Sequence, residues 1–170
     1  MCYNQTMLRF WWLGLVLMFS PVLACGSQLP PDLYVKAVQY ARAFQIDPNL
    51  LVAIVWVESR FCPEALGSHG EIGLGQILPS TAEALGVNPA WLWNVDWNLW
   101  AAAKHLRDLW NTFHNMKLVI EAYNAGAGAV EEGTIPLSTE QYYINVNYVY
   151  EYLEAHQSVL AAWLGQVASR

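Results

Sequence analysis

Apolar residues recur at helical spacing along most of the chain. Over residues 31–44 they fall three or four positions apart, the period of an amphipathic helix. Residues 50–57 are almost wholly apolar and follow Asp47 and Pro48, a capping residue and a proline that the first turn of a helix accepts. We expect 50–57 to be a helix buried on most sides, because a strand there would have no partner strands to join.

Polar residues at capping positions predict where the later helices begin. Ser80 and Ser138 are each followed three residues later by a glutamate or a glutamine, the spacing of a capping box. Asp96 precedes an apolar stripe that reaches about residue 115, so it should cap a longer helix. Gly126 should end another helix over residues 117–125.

No segment alternates apolar and polar positions as a strand does, and residues 62–78 have the glycines and turn residues of a loop. The predicted fold class is all-α, a single domain of short helices around one buried central helix. Residues 25–46 should form an N-terminal segment and first helix, 47–150 the main domain, and 151–170 a helical tail. The tail either packs on the domain or docks a partner.

The first 24 residues predict a signal peptide. Residues 10–19 are a run of ten apolar or small residues, too short for a membrane span of about 20 residues. Cleavage is expected after Ala24, and the alternative is an uncleaved anchor helix. The next residue, Cys25, ends the sequence VLAC, which resembles the lipobox of bacterial lipoproteins. Cys25 either carries a lipid tether, with Cys62 simply buried, or pairs with Cys62 in a disulfide.

Composition narrows the classes of protein that fit. The 170 residues are 55% hydrophobic and 13% charged, which suits one folded domain and excludes a disordered chain or a coiled coil. The net charge of −6 argues against nucleic acid as a partner, because phosphate binding needs a basic face. Tryptophans cluster between residues 91 and 110, and such a cluster is more often part of a core than a platform for sugar rings.

Glu58 is the main candidate for chemistry. It follows seven apolar residues, so burial should raise the pKa of its carboxyl and suit it to act as a general acid. The alternative is a glutamate on a solvated stripe of the helix. Glycines before Gln76 allow either close approach of a ligand or a tight turn. Tyr123 and Asn124, at a helix end, either bind a polar substrate or cap the helix. The histidines lack metal-ligand spacing, so we expect no metal site, and nothing predicts a cofactor.

Four motifs in order resemble the soluble-type lytic transglycosylase family, which has the transglycosylase SLT domain and a goose-lysozyme-like fold. The stretch ESRFCPEALGSHGEIGLGQILPSTAEALG, residues 58–86, is similar to the first two motifs. AYNAGAGAV, residues 122–130, matches the third, and Tyr142 with Val146 matches a late tyrosine motif. The resemblance covers residues 51–146 and implies a lysozyme-like fold with 47–150 as the catalytic domain.

The resemblance also implies an activity: cleavage of the β-1,4 bond between N-acetylmuramic acid (MurNAc) and N-acetylglucosamine (GlcNAc) in peptidoglycan, leaving 1,6-anhydro ends. Glu58 takes the catalytic role by motif match. Substrate-binding and Glu-positioning roles fall on Gln76, Tyr123, Asn124 and Tyr142.

Several positions depart from the family pattern, and one departure is Ser138-Thr139, where the family has Glu-Thr before the late tyrosine. The motif serine is Gly67 here, and the adjacent Ser68 is expected to replace it in binding substrate. The family methionine is Gly75, which predicts a wider groove and weak binding; the competing hypothesis is that a positive φ angle demands glycine there. Glu71, in place of a small residue, is either an exposed surface charge or a second acid that favours hydrolysis.

Two other functions therefore remain as alternatives. One is a hydrolytic muramidase that uses Glu71. The other is a catalytically weak peptidoglycan-binding or assembly protein of an envelope-spanning machine, such as a secretion or conjugation apparatus. In each case the expected location is the periplasm or cell envelope, with an outer-membrane anchor if Cys25 is lipidated.

Overall fold

The computed structural model describes residues 29–168, which form eight α-helices, one 3-10 helix and no β-strand. The all-α prediction is confirmed. The predicted signal peptide and Cys25 lie outside the described residues. The helices are α1 (Pro31–Ala43), α2 (Pro48–Ser59), α3 (Pro79–Ala84), α4 (Val95–Phe113), α5 (Met116–Ala125), α6 (Ala127–Glu131), α7 (Leu137–Ala155) and α8 (Gln157–Ala168), with the 3-10 helix at Pro89–Trp93. None of these helices is long and apolar enough to cross a bilayer.

Helix α2 is the buried centre of the fold, as its apolar run predicts. The six residues 50–55 are at most 2% exposed, and α1, α4 and α7 pack around the helix. The side chain of Asp47 accepts a hydrogen bond from the amide of Asn49 at 2.8 Å and caps the helix as expected. Arg60 and Phe61 both adopt left-handed φ angles, 54° and 57°, which end the helix and turn the chain into the loop. Glu58 therefore lies in the last turn of a helix that the core holds on most sides.

Three of the predicted helix caps are wrong. Helix α4 is capped by Asn94, whose side chain accepts hydrogen bonds from the amides of Asp96 and Trp97. The carboxylate of Asp96 instead pairs with Lys36 at 2.6 Å and ties α4 to α1. Ser80 and Ser138 lie inside α3 and α7, whose cap residues are Leu78 and Pro136 without side-chain caps. Proline explains both shifts, because its fixed φ sets up the helix start one or two residues before the serine.

The tryptophan cluster divides between the core and the surface. Trp100 and Trp110 pack against the core, but Trp91, Trp93 and Trp97 are 47%, 47% and 40% exposed. A core role is therefore wrong for these three. Trp91 and Trp97 lie against each other with ring centroids 4.8 Å apart.

Cys62 is 4% exposed and disulfide-bonded. This favours the disulfide interpretation over a free buried thiol, although Cys25, on which both interpretations depend, is outside the described residues. At the other end of the chain, α7 continues past residue 150, so the predicted tail begins within a helix. Leu160 and Leu164 of α8 pack against the core, as expected for a tail that packs on the domain.

Candidate active site

Glu58 lines a cavity of about 100 Å³, which lies between α2, the 60–78 loop, α3, α4 and α5. Three of the residues named from the sequence, Gln76, Tyr123 and Asn124, line the same cavity. Tyr142 reaches it from α7 through a hydrogen bond to Glu58. The lining residues are Glu58, Glu71, Gln76, Ile77, Leu78, Thr81, His105, Tyr123 and Asn124.

The surroundings of Glu58 let its carboxyl hold a proton up to about neutral pH. Burial raises the pKa of Glu58 to about 7; the hydrogen bond from Tyr142 opposes this rise, and the negative charge of Glu71 adds to it. The Tyr142 hydroxyl donates to Oε1 of Glu58 at 2.7 Å. Burial and the neighbouring Glu58 raise the pKa of Tyr142 well above its usual value, so this hydroxyl stays a donor. Glu58 is thus an oriented acid whose proton is available near pH 7.

The loop beside Glu58 is held by buried side chains. Asn98, 1% exposed on α4, accepts from the amide of Gly75 and donates to the carbonyls of Ile72 and Leu92, each at 2.8 Å. The hydroxyl of Ser59 donates to the carbonyl of Leu74 at 2.7 Å. These bonds join α2, the loop and α4 into one hydrogen-bonded frame.

Gly75 does not widen the site. A Cβ at this position would lie 2.7 Å from Cβ of Ala102 and 3.0 Å from the hydroxyl of Tyr123, so its neighbours already fill the space. The φ angle of Gly75 is outside the left-handed region, so the competing hypothesis is also wrong. Close approach is the reason for glycine here, because the Tyr123 hydroxyl donates to the Gly75 carbonyl at 2.8 Å.

Gln76 and Asn124 present amide groups to the cavity. Gln76 has a left-handed φ of 47°, and its Nε2 donates to the carbonyls of Gly73 and Ala65. Its Oε1 is left as an acceptor. Oδ1 of Asn124 accepts from the hydroxyl of buried Thr139 at 2.8 Å, which leaves the Asn124 NH2 group as a donor. One acceptor and one donor suit a ligand that carries hydroxyl and acetamido groups.

Ser68 is not part of the cavity lining. Its side chain is exposed and bonds the His69 ring at 3.2 Å. The expectation that it takes the place of the family serine is not supported by this geometry.

Glu71 takes the space beside Gly67. A Cβ on Gly67 would lie 2.1 Å from Oε2 of Glu71 and 2.9 Å from Oε1 of Gln76. The Glu71 side chain is 24% exposed and lines the cavity with Glu58, so the expectation of a surface charge is wrong. Burial alone would raise the pKa of Glu71, but hydrogen bonds from its own amide and from His69 outweigh burial and lower it. Between the pKa values of the two groups the cavity thus holds a protonated Glu58 and an ionised Glu71.

His105 is a cavity residue that sequence reasoning missed. Its ring lies against Tyr123, with centroids 5.2 Å apart at an angle of 48°. Asn98, Ala102 and His105 are spaced four and three residues apart, which places them on one face of α4. This spacing was the available signal, since Asn98 and Ala102 both contact the Gly75 loop. Within residues 29–168 no cluster of three His, Cys, Asp or Glu side chains could hold a metal ion.

Comparison with known proteins gives a consistent set of similarities. The sequence model described as the transglycosylase SLT domain matches residues 36–134. A transglycosylase of Enterobacteria phage PRD1 is 29% identical over 90 residues, covering 53% of this chain and 33% of the phage protein. A membrane-bound lytic murein transglycosylase C of Actinobacillus pleuropneumoniae is 32% identical over 120 residues, covering 56% of this chain and 33% of that protein. The chain thus spans about a third of the length of these relatives.

Solved structures show the same likeness. The 70 kDa soluble lytic transglycosylase of Escherichia coli matches 72% of this chain and 24% of its own, with a TM-score of 0.61 and 25% identity. A lytic transglycosylase of Pseudomonas aeruginosa shares the fold over 79% of this chain and 24% of its own, with a TM-score of 0.54 and 24% identity.

Proposed function

Because the chain belongs to the transglycosylase SLT domain family, we propose that it is an exported lytic transglycosylase of peptidoglycan. Its reaction breaks the β-1,4 bond between MurNAc and GlcNAc and leaves a 1,6-anhydro ring on MurNAc. The observation that carries the proposal is Glu58, an oriented carboxyl in a cavity with a pKa of about 7. The amide groups of Gln76 and Asn124 support it, since they suit N-acetylated sugars.

A single acid is sufficient for this reaction. Glu58 donates its proton to the glycosidic oxygen as the bond from that oxygen to C1 of MurNAc breaks. The C6 hydroxyl oxygen of the same MurNAc then bonds to C1, and its proton passes to the Glu58 carboxylate. This second transfer restores the acid and consumes no water. Tyr142 keeps Glu58 oriented through both steps by its 2.7 Å hydrogen bond.

A digest of purified peptidoglycan tests the proposal. Mass spectrometry of the released muropeptides should show anhydro ends, which are 18 Da lighter than reducing ends by the mass of one water. Glu58→Gln should lower the rate by about 10² to 10⁴, because the amide keeps the shape of the side chain and has no proton to transfer. Glu64→Gln is the matched control, since Glu64 is exposed and absent from the cavity lining. A Glu58→Gln protein that still cleaves would remove Glu58 from the mechanism.

The position of Glu71 favours a second candidate, a hydrolytic muramidase. Glu71 lines the cavity as a carboxylate, so it could accept a proton from water while the water oxygen bonds to C1. Glu58 would still protonate the leaving oxygen, and the product would have a reducing end. The same digest separates the candidates, because anhydro ends support the first and reducing ends support the second. No new ends would leave a binding or assembly protein of an envelope machine as the function.

Location and anchoring form part of the proposal. The substrate is in the periplasm, and several relatives are named as membrane-bound lytic murein transglycosylases. We place this protein in the periplasm or cell envelope, where it would open the wall locally for a secretion or conjugation machine. An outer-membrane anchor would require a lipid on Cys25.

A further inference from the structure

The side chain of His105 has polar atoms without a protein partner. Its ring nitrogens make no hydrogen bond to any residue among 29–168. Every fully buried side-chain nitrogen or oxygen in that range does have a partner. The His105 nitrogens are therefore not fully buried, and His105 lines the cavity that also holds Glu58.

The ring of His105 is held in place and stays neutral. It lies against Tyr123, whose hydroxyl is fixed by donation to the Gly75 carbonyl, so the orientation of the imidazole follows from the same frame as the loop. Burial lowers the pKa of His105; Asp108 opposes this effect and Lys104 adds to it. A neutral imidazole has one N–H donor and one bare nitrogen that accepts.

We propose that His105 is a substrate-contacting residue that hydrogen-bonds a hydroxyl group of the sugar bound beside Glu58. The inference rests on the proposed function, because it takes the ligand to be a glycan strand. A sugar hydroxyl both donates and accepts, so it can pair with either ring nitrogen. His105 takes no proton in the reaction and contributes to binding and orientation of the sugar.

Binding measurements on an inactive background isolate this role. The probe is the tetrasaccharide of alternating GlcNAc and MurNAc, titrated into Glu58→Gln protein by calorimetry. Adding His105→Phe keeps a flat ring against Tyr123 and removes both nitrogens, so we expect binding about fivefold to tenfold weaker. Adding His105→Gln restores a donor and an acceptor and should recover part of the loss. His114→Asn is the matched control, because His114 is an exposed residue at the end of the same helix.

The second measurement is of cleavage kinetics in protein that retains Glu58. His105→Phe should raise KM by a similar factor and change kcat less than about threefold. Unchanged binding by His105→Phe would overturn the inference and leave the proposed function standing. Equal losses in the Phe and Gln variants, together with lower melting temperatures, would show a merely structural role and also overturn it. If His105→Phe does not fold, His105→Gln must bind as well as, or moderately weaker than, the parent; loss of all binding would contradict the proposal.

Failure of the proposed function gives a different result. The parent protein would neither bind the tetrasaccharide nor release new ends from peptidoglycan, whatever residue stands at position 105. That outcome would overturn both proposals together.

Discussion

Glu58 shows how one side chain acquires its chemistry from its position at the end of a buried helix. The apolar residues 50–55 hold α2 in the core, so the last turn places the carboxyl where water is scarce. Desolvation then favours the neutral acid, and Tyr142 limits the effect by donating to the ionised form. The protonation state of Glu58 thus results from two opposing effects, burial and the Tyr142 hydrogen bond, and substitutions can test each one separately.

Glu58→Gln should stabilise the protein at pH 8 and have little effect at pH 4. The pKa of Glu58 is about 7 in the folded protein and about 4.5 in the unfolded chain, so protonation of Glu58 favours the native state. Stability from this group is complete below pH 4.5 and is lost as the pH rises through 7. The loss is about 3 kcal/mol, which the amide avoids because it cannot ionise. Thermal melts at both pH values check this against Glu64→Gln, which should show no such difference.

Tyr142→Phe should move the alkaline limb of the activity profile to higher pH. The proposed reaction needs protonated Glu58, so its rate should fall as the pH rises through about 7. Removal of the Tyr142 hydrogen bond takes away the contact that lowers the pKa of Glu58, and the rate at the optimum should also fall because the acid loses its orientation. Tyr148→Phe, at a side chain that is 73% exposed, should leave the profile in place. A downward shift for Tyr142→Phe would contradict this account.

At the scale of elements, the loop over 60–78 is shaped by the helices that flank it. Asn98 of α4 and Ser59 of α2 satisfy backbone groups of the loop that would otherwise be buried without partners. The loop in turn brings Glu71 and Gln76 to the cavity. The close approach at Gly75 follows from this packing, because α4 and Tyr123 leave no room for a side chain.

Gly75→Ala should destabilise the fold by about 1–3 kcal/mol, the usual range for overpacking a core. The added Cβ would meet Cβ of Ala102 at 2.7 Å, and neither helix nor loop can yield without loss of hydrogen bonds. Cleavage should fall with stability because the Tyr123 contact is displaced. Gly128→Ala is the control: it lies within α6 with nothing within 4 Å, and alanine favours helix. A Gly75→Ala protein with a normal melting temperature and tighter glycan binding would revive the wider-groove hypothesis.

At the scale of the whole molecule, one core supports both the site and the tail. Helices α1, α4 and α7 surround α2, and α8 adds Leu160 and Leu164 to the edge of that core. Cys62 is disulfide-bonded at the start of the 60–78 loop, so the oxidising compartment proposed for this protein would also stabilise the loop beside Glu58.

Mass spectrometry of protein from the native cell envelope should show a mature chain that begins at Cys25. Lipidation adds a diacylglyceryl mass on the Cys25 sulfur, which cannot also form a disulfide. An unlipidated chain two hydrogens lighter than its reduced form would show a disulfide between Cys25 and Cys62. A chain that begins at Met1 would contradict export with cleavage.

Local patterns in the sequence were sufficient for the all-α class and for the main helices, but not for the caps expected at Ser80, Asp96 and Ser138. The apolar run 50–57 predicts a buried helix because a strand there would have no partner strands to join, and it makes Glu58 a candidate acid at the helix end. The resemblance to the family, rather than spacing, pointed to Gln76, Tyr123, Asn124 and Tyr142. The structure places the first three in one cavity with Glu58 and bonds Tyr142 to the Glu58 carboxyl.

Only the tertiary structure decided what depends on distances between elements. The Glu71 side chain lines the cavity because Gly67 leaves space for its carboxylate. The space beside Gly75 is already occupied, because Ala102 of α4 packs against it. Ser68 is exposed, bonds His69 and does not line the cavity, although it is adjacent to the motif position. His105 lines the cavity from α4. The spacing of residues along α4 shows that His105 shares a face with Asn98 and Ala102, but it does not show which element packs against that face. Sequence periodicity determines which residues are neighbours on one helix, whereas contacts between helices depend on the packing of all their side chains together.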